Sequence, residues 1–521
     1  MAVKVLIVGM DVATMTLALM LELAGVDYLL LEKSDSVPAV AGGMSLHPTV
    51  LPLLEQMSLR DDLLFFSQPM EQVLVLDSDM EHITTYDWSD RRIRYGAWSR
   101  FMTRPEYCNV ILEKLTESRV LFDKDIASIT TIDCAEERNN RAGGMQPFVM
   151  VDGRQDSMLD IDITMEKGEA RGGVTIQCTD GSSYTGHLLV ADIESGVEQL
   201  FEEIKGMSSV LGWAQGDRQE DYSVNHAVTK KVPTSAVTTA STHDTPAPRE
   251  IQYHVSGVTE ALDPQRIPLL KEDTTQLRLV MDDRSSLSWW VATLVDHRIA
   301  WQVTQRIRLF DKTTGQQADA DWPLEDEEAA KASIMSQMSQ SMMCPLGGTM
   351  AQIAQWTSPS EISCKRWDDR TAPTRVNPNN VSPHPRLQLL GEACRKVVPI
   401  LGQAADESIL DALSLAEAIV ALPPAARLTD IRDAFERYRK ERTSRREAAI
   451  RESQDLDQLL NAKGAMQKAY RTVKLNYTPK CTQERRMDEK YSYRPQANFL
   501  QPVPDYGQIQ PVHQHHRSRR P

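Results

Sequence analysis

Residues 5–33 read VLIVGMDVATMTLALMLELAGVDYLLLEK. An apolar strand, Val5 to Val8, runs into Gly9. A helix-like apolar stripe follows, and a second strand, Tyr28 to Leu31, ends on the acid Glu32. That order is the frame of a dinucleotide-binding βαβ unit, in which GxGxxG is expected after the first strand. The six positions here are Gly9, Met10, Asp11, Val12, Ala13 and Thr14, so only the first glycine stands.

The surrounding chain is large enough to give such a unit a home. With 521 residues, 41% hydrophobic and 25% charged, it can build an extensive core and more than one domain. Lys and Arg number 58 against 73 Asp and Glu, a net charge of −15, which disfavours a nucleic-acid partner. The seven cysteines, at 108, 134, 178, 344, 364, 394 and 481, are scattered and show no CxxC or Cys/His metal spacing. Free thiols in a reducing compartment and no metal site are expected. No signal peptide and no run of about 18 uncharged apolar residues is visible, so the expectation is a cytoplasmic protein without a membrane-spanning segment.

Further along, residues 135–171 are polar and Gly-rich and read as an insertion loop. Around Asp180-Gly181 the apolar spacing has period two, a hairpin signal, and its second arm ends in the buried-type strand Leu188 to Ala191. "QLRLVMD", "LSWWVATLVD" and "IAWQVTQRI" alternate between turn residues and predict an antiparallel sheet over much of 216–345. "RLQLLG", Arg386 to Gly391, returns to a buried strand, and a helical pattern runs from about Ala404 to Leu422. The highly charged helix after it reads as solvated, and from Tyr477 onward little fixed structure is expected.

Four widely spaced segments, in order, resemble the class A FAD-dependent monooxygenases of the aromatic-hydroxylase type. The first is the βαβ unit, with Glu32 lying 23 residues beyond Gly9. The second is "TRPE", Thr103 to Glu106, similar to the family's Arg-bearing helix start near the flavin. The third is "VADIES", Val190 to Ser195, aligned with GADGxxS. The fourth, "GEACRKVVPILGQAADESILDALSLAEAI" at 391–419, follows GDAAHxxxPxxGQGxNxAIEDAxxLA without a gap.

The resemblance implies an α/β fold: a Rossmann-like FAD-binding domain with a parallel sheet, an antiparallel-sheet substrate domain and C-terminal helices. Strands near 3–8, 28–32, 188–191 and 386–390 are expected to be neighbours. The implied domains are 1–200 and 376–427 for the two parts of the FAD-binding domain, and 201–375 for the substrate-type domain. A C-terminal helical segment, 428–475, and a disordered tail, 476–521, complete the division.

The cofactor-binding residues implied by the resemblance are Gly9, Glu32, Lys33, Arg104, Asp192, Gly391, Glu392, Pro399, Gly402 and Gln403. Catalytic residues are not assigned, because FAD carries the chemistry in such enzymes, with NAD(P)H as co-substrate. The implied substrate is an aromatic or other apolar small molecule, seated on the Trp-bearing sheet.

The departures from the family pattern fall on its functional letters. Asp11 stands where the backbone of a glycine would touch the pyrophosphate, and Thr14 replaces the glycine that permits close helix–strand packing. An uncompensated carboxylate about 4 Å from a phosphate charge costs about 4 kcal/mol at an effective dielectric near 20. Two readings therefore stand open: an FAD-dependent monooxygenase, or a non-catalytic descendant with weak or absent FAD binding that serves as an interaction module. A structural or assembly role for the charged C-terminal helix is a third. His47 and His82 are single histidines with no partner legible nearby, and both read as ordinary residues.

Overall fold

The computed structural model describes residues 3–38, 42–132, 172–192, 250–282, 285–308, 322–324, 326–368, 384–391, 403–460, 470–471, 473–474 and 478–512. Among these residues a parallel sheet lies at the centre of the first domain. It comprises β1 (Lys4–Val8), β2 (Asp27–Leu31), β7 (Val120–Leu121), β11 (Leu188–Asp192) and β17 (Leu387–Leu390), in the order β17-β11-β1-β2-β7. The four strands expected to be neighbours are neighbours, with Val5 opposite Tyr28 on one side and Leu188 on the other.

The run Val5 to Val8 of β1 is apolar at every position because both faces of the sheet are covered. Val5 and Ile7 point into the core beneath α1 (Val12–Leu23). Leu6 and Val8 point the other way, against a small antiparallel sheet of β8 (Ile126–Ile132), β9 (Gly173–Cys178) and β10 (Ser183–Gly186). Helix α1 is buried all round from Val12 to Leu21, since α2 (Arg104–Leu112) and α5 (Gln403–Val420) close over it.

The second large sheet is mixed. It contains β3 (Gly43–Leu46), β4 (Gln68–Asp77), β5 (His82–Asp87), β6 (Ser99–Thr103), β12 (Glu250–Val258), β13 (Thr275–Met281), β14 (Leu287–Thr293), β15 (Ile299–Arg308) and β16 (Ser363–Asp368). The strands from the middle of the chain are antiparallel, as their alternation predicts, and they do not join the parallel sheet. They are not a closed unit, however. β13 pairs in parallel with β4, so the sheet continues into residues 43–103 across the boundary expected near residue 200. The edge of β13 would otherwise expose a row of unpaired backbone groups, and β4 satisfies them.

The charged helix α6 (Leu428–Leu460) is more than a solvated element. Its inner face buries Ile431, Phe435, Tyr438 and, unexpectedly, Arg442, which is 1% exposed. Arg442 Nε donates to Asp411 Oδ1 of α5 at 2.7 Å, Arg446 Nη2 reaches Asp411 Oδ2 at 3.1 Å, and Glu407 also pairs with Arg442. Burial opposes the Arg442 charge, but Glu407 and Asp411 outweigh it and raise its pKa above the usual guanidinium range.

The tail corrects the expectation of disorder over 478–512. Helix α7 (Lys480–Tyr491) and the extended segment after it form a strap against the first domain. Asp488 accepts from Arg94 Nη2, which lies 2.7 Å from each of its oxygens, and from the Tyr95 hydroxyl at 2.9 Å. Gln56 exchanges bonds with the backbone of Ala497, and Arg494, itself buried, pairs with Asp505. Gly96, at φ +83°, meets Gly507 backbone to backbone: a Cβ on Gly96 would lie 2.9 Å from the Gly507 nitrogen. Residues 513–521, including the His- and Arg-rich end, lie outside the described residues.

Removing one partner of a buried ion network leaves the others desolvated. Asp411→Ala is therefore expected to cost about 3–5 kcal/mol of stability, read as a lowered urea midpoint. Glu452→Gln, which removes the exposed α6 partner of Lys490 of α7 at 3.3 Å, is expected to cost less than about 1 kcal/mol. Equal effects of the two substitutions would refute the structural role given to Asp411.

Candidate functional site

The C-terminal edge of the parallel sheet is where this fold class places its ligands, and the polar residues of the motifs gather there. Gly9 turns the chain out of β1 at φ +90°, a conformation suited to glycine, and its N–H bonds to Leu31 O at 2.9 Å. Glu32 ends β2, buried at 2% exposure, and its two oxygens accept from the backbone N–H groups of Met10 at 2.8 Å and Ser34 at 3.0 Å. A carboxylate has about four acceptor positions, so Glu32 retains capacity for hydroxyl donors. Lys33 beside it is exposed.

Asp11 caps the start of α1 in extended backbone, φ −126° and ψ 170°, and is 3% exposed. Its N–H donates to the Thr14 hydroxyl at 2.9 Å, so Thr14, fully buried, has a capping role. The Asp11 carboxylate lies 3.2 Å from Arg104 Nη1. The charge that the sequence places against the cofactor position is thus already held by a cation of the same site.

Arg104 is the first residue of α2, and its placement follows from local chemistry. Thr103 and Glu106 form a reciprocal capping box, with bonds of 3.3 and 3.0 Å, and Pro105 supplies the fixed φ of a helix start. Glu106 also pairs with Arg298 at the start of the β15 segment. One turn into α2, the Tyr107 hydroxyl meets the Thr16 hydroxyl at 2.8 Å, which locks α2 onto α1.

Asp192 ends β11 at 2% exposure. Gly391 follows β17 at φ +86°, and a Cβ there would lie 3.3 Å from Ala13 Cβ, 3.3 Å from Asp192 Oδ1 and 3.4 Å from Asp11 Oδ2. A glycine is needed at this junction because three strand ends and a helix start converge on it. Cys108 beneath the site is inert: burial first, then Asp11, pushes its thiol far above the ordinary range. Gln403 opens α5 and is 9% exposed. Glu392, Pro399 and Gly402 lie outside the described residues. Among the described residues no group of acids, histidines and cysteines could hold a metal ion, and no helix is long and apolar enough to cross a membrane.

His47 has a partner that sequence reasoning missed. Its Nδ1 lies 2.8 Å from Asp406 Oδ2, and its backbone N–H donates to Asp406 Oδ1 at 3.0 Å. Trp88 packs edge-on at 5.7 Å, Tyr491 of the strap stacks at 5.9 Å, and the Arg91 guanidinium lies over both rings. The partners are 359 residues apart, so no local spacing could have announced them. The one signal was an acid, Asp406, in the first turn of α5 where the family pattern has Asn.

Burial holds the His47 pKa below its ordinary value despite the opposing pull of Asp406, so the folded ring is neutral where the unfolded one takes a proton. Its contribution to stability is therefore present above about pH 6.5 and is lost as pH falls below that value. His47→Asn should flatten the stability profile between pH 7.5 and 5.5 by up to about 1.4 kcal/mol per pH unit, measured by urea denaturation. An unchanged slope would count against a neutral buried His47.

No protein-family profile matches the chain. In sequence it is 25% identical over 228 residues to the FAD-dependent monooxygenase ntnA of Nectria sp, covering 42% of this chain and 28% of that protein. It is 26% identical over 191 residues to the FAD-dependent monooxygenase pynG of Aspergillus niger, covering 36% of each. The matched part thus spans little more than a third, or less, of these relatives. In fold it is similar to Klebsiella pneumoniae HpxO complexed with FAD and uric acid, with a TM-score of 0.58, 15% identity, and 95% and 97% of the two chains covered. It is also similar to 2,6-dihydroxypyridine-3-hydroxylase from Arthrobacter nicotinovorans, with a TM-score of 0.51, 14% identity, and 89% and 94% covered. The chain is similar, in its motifs and in its fold, to the class A FAD-dependent monooxygenases.

Proposed function

We propose that the chain is an FAD-dependent oxidoreductase of the monooxygenase type, which oxidises a small organic molecule with NAD(P)H and O2. The observation that supports this reading most is the convergence of Gly9, Glu32, Arg104, Asp192 and Gly391 at one sheet edge. Toward FAD these residues fit with one constraint. Glu32 keeps acceptor positions for ribose hydroxyls, and Gly9 and Gly391 keep the approach free of side chains. Glu392, Pro399, Gly402 and Gln403 complete the proposed set on the flavin side, and Lys33 is its exposed member at the adenosine side. FAD, when bound, supplies the oxygen-activating chemistry; the chain's residues hold it and exclude water.

The constraint is Asp11. Its carboxylate stands where the pyrophosphate is expected, but Arg104 at 3.2 Å neutralises it, so the repulsion anticipated for an isolated acid is reduced. What remains is a diverted cation: Arg104 spends its charge on Asp11 and not on a phosphate. This pair favours, as a second reading, a descendant in which FAD binds weakly or not at all and the fold serves binding alone.

Asp11→Gly separates these readings without requiring turnover. Release of Arg104 toward a phosphate should gain a charge-assisted hydrogen bond of about 1.5–3 kcal/mol, or roughly 10- to 100-fold in Kd, measured by flavin fluorescence quenching at fixed salt. Arg104→Ala in the Asp11→Gly background should abolish the gain. Thr14 should be left in place, because it caps α1 and Gly inside a helix costs about 1 kcal/mol. Wild-type protein that already binds FAD tightly, with no gain in Asp11→Gly, would remove the restraint assigned to Asp11. No binding by either protein would favour the second reading.

A further inference from the structure

The face of the mixed sheet turned away from α3 (Glu327–Ser341) and α4 (Met350–Gln355) carries a buried polar row. Gln252, His254 and Ser256 alternate along β12 and are 2%, 7% and 6% exposed. Across the ladders, His254 lies opposite Thr304 and Lys365, and Gln252 opposite Arg306. A Cβ on Gly42 would stand 3.5 Å from Ser256 Oγ, so the row begins where the segment entering β3 meets the sheet. Apolar residues flank it on the same face: Trp290, opposite Gln302, packs edge-on against Phe101 at 6.1 Å.

The His254 ring is fixed in one tautomer. Its Nδ1 lies 2.9 Å from the Thr304 hydroxyl and accepts from Gln302 Nε2 at 3.2 Å. An amide N–H can only donate, so Nδ1 is the acceptor and the ring proton sits on Nε2. Burial, then Arg306 and Lys365, bring the His254 pKa down to about 3, and the ring stays neutral. His254 Nε2 and Gln252 Oε1 are both buried, and among the described residues neither makes a hydrogen bond. Buried polar groups are nearly always paired, and two at alternate positions of one strand face without a partner among the described residues are open to a ligand.

We propose that the Nε2–H of His254 and the carboxamide oxygen of Gln252 are specificity-determining groups, and that the substrate is a planar molecule offering a carbonyl oxygen and an N–H or O–H along one edge. This deepens the monooxygenase reading and rests on it. A lactam or hydroxyketone edge satisfies both groups, whereas a plain aromatic hydrocarbon leaves both unpaired.

The test uses the full chain and two planar probes of one shape, 2-quinolone and naphthalene, with affinity measured by calorimetry and the His254 Nε2–H followed by 15N NMR. The expected result is about tenfold tighter binding of 2-quinolone, with a shift of the Nε2–H resonance. His254→Phe should erase the preference, and Gln252→Leu should reduce it. Equal affinities, absent 2-quinolone binding, or a preference that survives His254→Phe would overturn the assignment. Should His254→Phe fail to fold, the wild-type resonance decides: no shift at saturating 2-quinolone overturns it. FAD binding is measured separately. FAD bound without a quinolone preference sinks only this inference, and a quinolone preference without FAD binding sinks the flavin reading.

Discussion

A carboxylate buried at the start of a helix requires a cation against it, and the Asp11–Arg104 pair meets that requirement. At an effective dielectric near 20 the attraction is on the order of 5 kcal/mol before desolvation is counted, so neither partner can be lost without exposing the other's cost. Much of the architecture follows from placing Arg104 there. The Thr103–Glu106 box starts α2 at the right residue, and Tyr107 ties α2 to α1 through Thr16. Glu106 carries the same chain of polar contacts on to Arg298, beside the mixed sheet. The dinucleotide-type edge and the second sheet are thus fixed relative to each other by charged groups as well as by packing.

The two faces of the mixed sheet differ in chemistry. Trp289 and Trp301, which look in the sequence like the lining of a substrate site, point into the core under α3 and α4. Their indole N–H groups are spent on Met343 O and Thr357 Oγ1 at 2.9 and 3.0 Å. Only Trp290 of that tryptophan-rich stretch faces the other way, as strand alternation demands of a neighbour of Trp289. The opposite face is therefore polar along β12 and β15 and apolar at β14, a surface suited to an amphiphilic planar molecule more than to a hydrocarbon.

The sequence was most legible where burial was complete. Val5 to Val8 is apolar on both faces because both are covered, and that pattern together with Gly9 and Glu32 announced the parallel sheet. The strand at Leu387–Leu390 was legible as a buried run, and the motif after it gave its place beside the others. Pairing across long separations left no trace. Nothing in Thr275–Met281 says that its edge meets Gln68–Asp77 in parallel, and nothing near His47 names Asp406. The strap was hidden by composition. Its Pro-, Gln- and Arg-rich sequence lacks a regular apolar stripe: it docks through the Arg94–Asp488 pair, scattered residues such as Tyr493 and Ala497, and glycine backbones, while Arg494 with Asp505 holds the strap's own fold.

That mode of docking links the strap to the site. Tyr491 stacks on His47 and lies under the Arg91 guanidinium, while His47 holds Asp406 in the first turn of α5. The helix that begins just after the flavin-type motif is therefore braced by a neutral histidine, and that histidine is covered by the chain's own C-terminal segment. Arg91 is buried between Trp88 and Tyr491, where its charge disfavours a protonated His47. Loss of the strap would let water reach His47, restore its tendency to take a proton and weaken its hold on the start of α5. The strap, whose composition suggests little fixed structure, thus covers the histidine that braces the helix opening the candidate site.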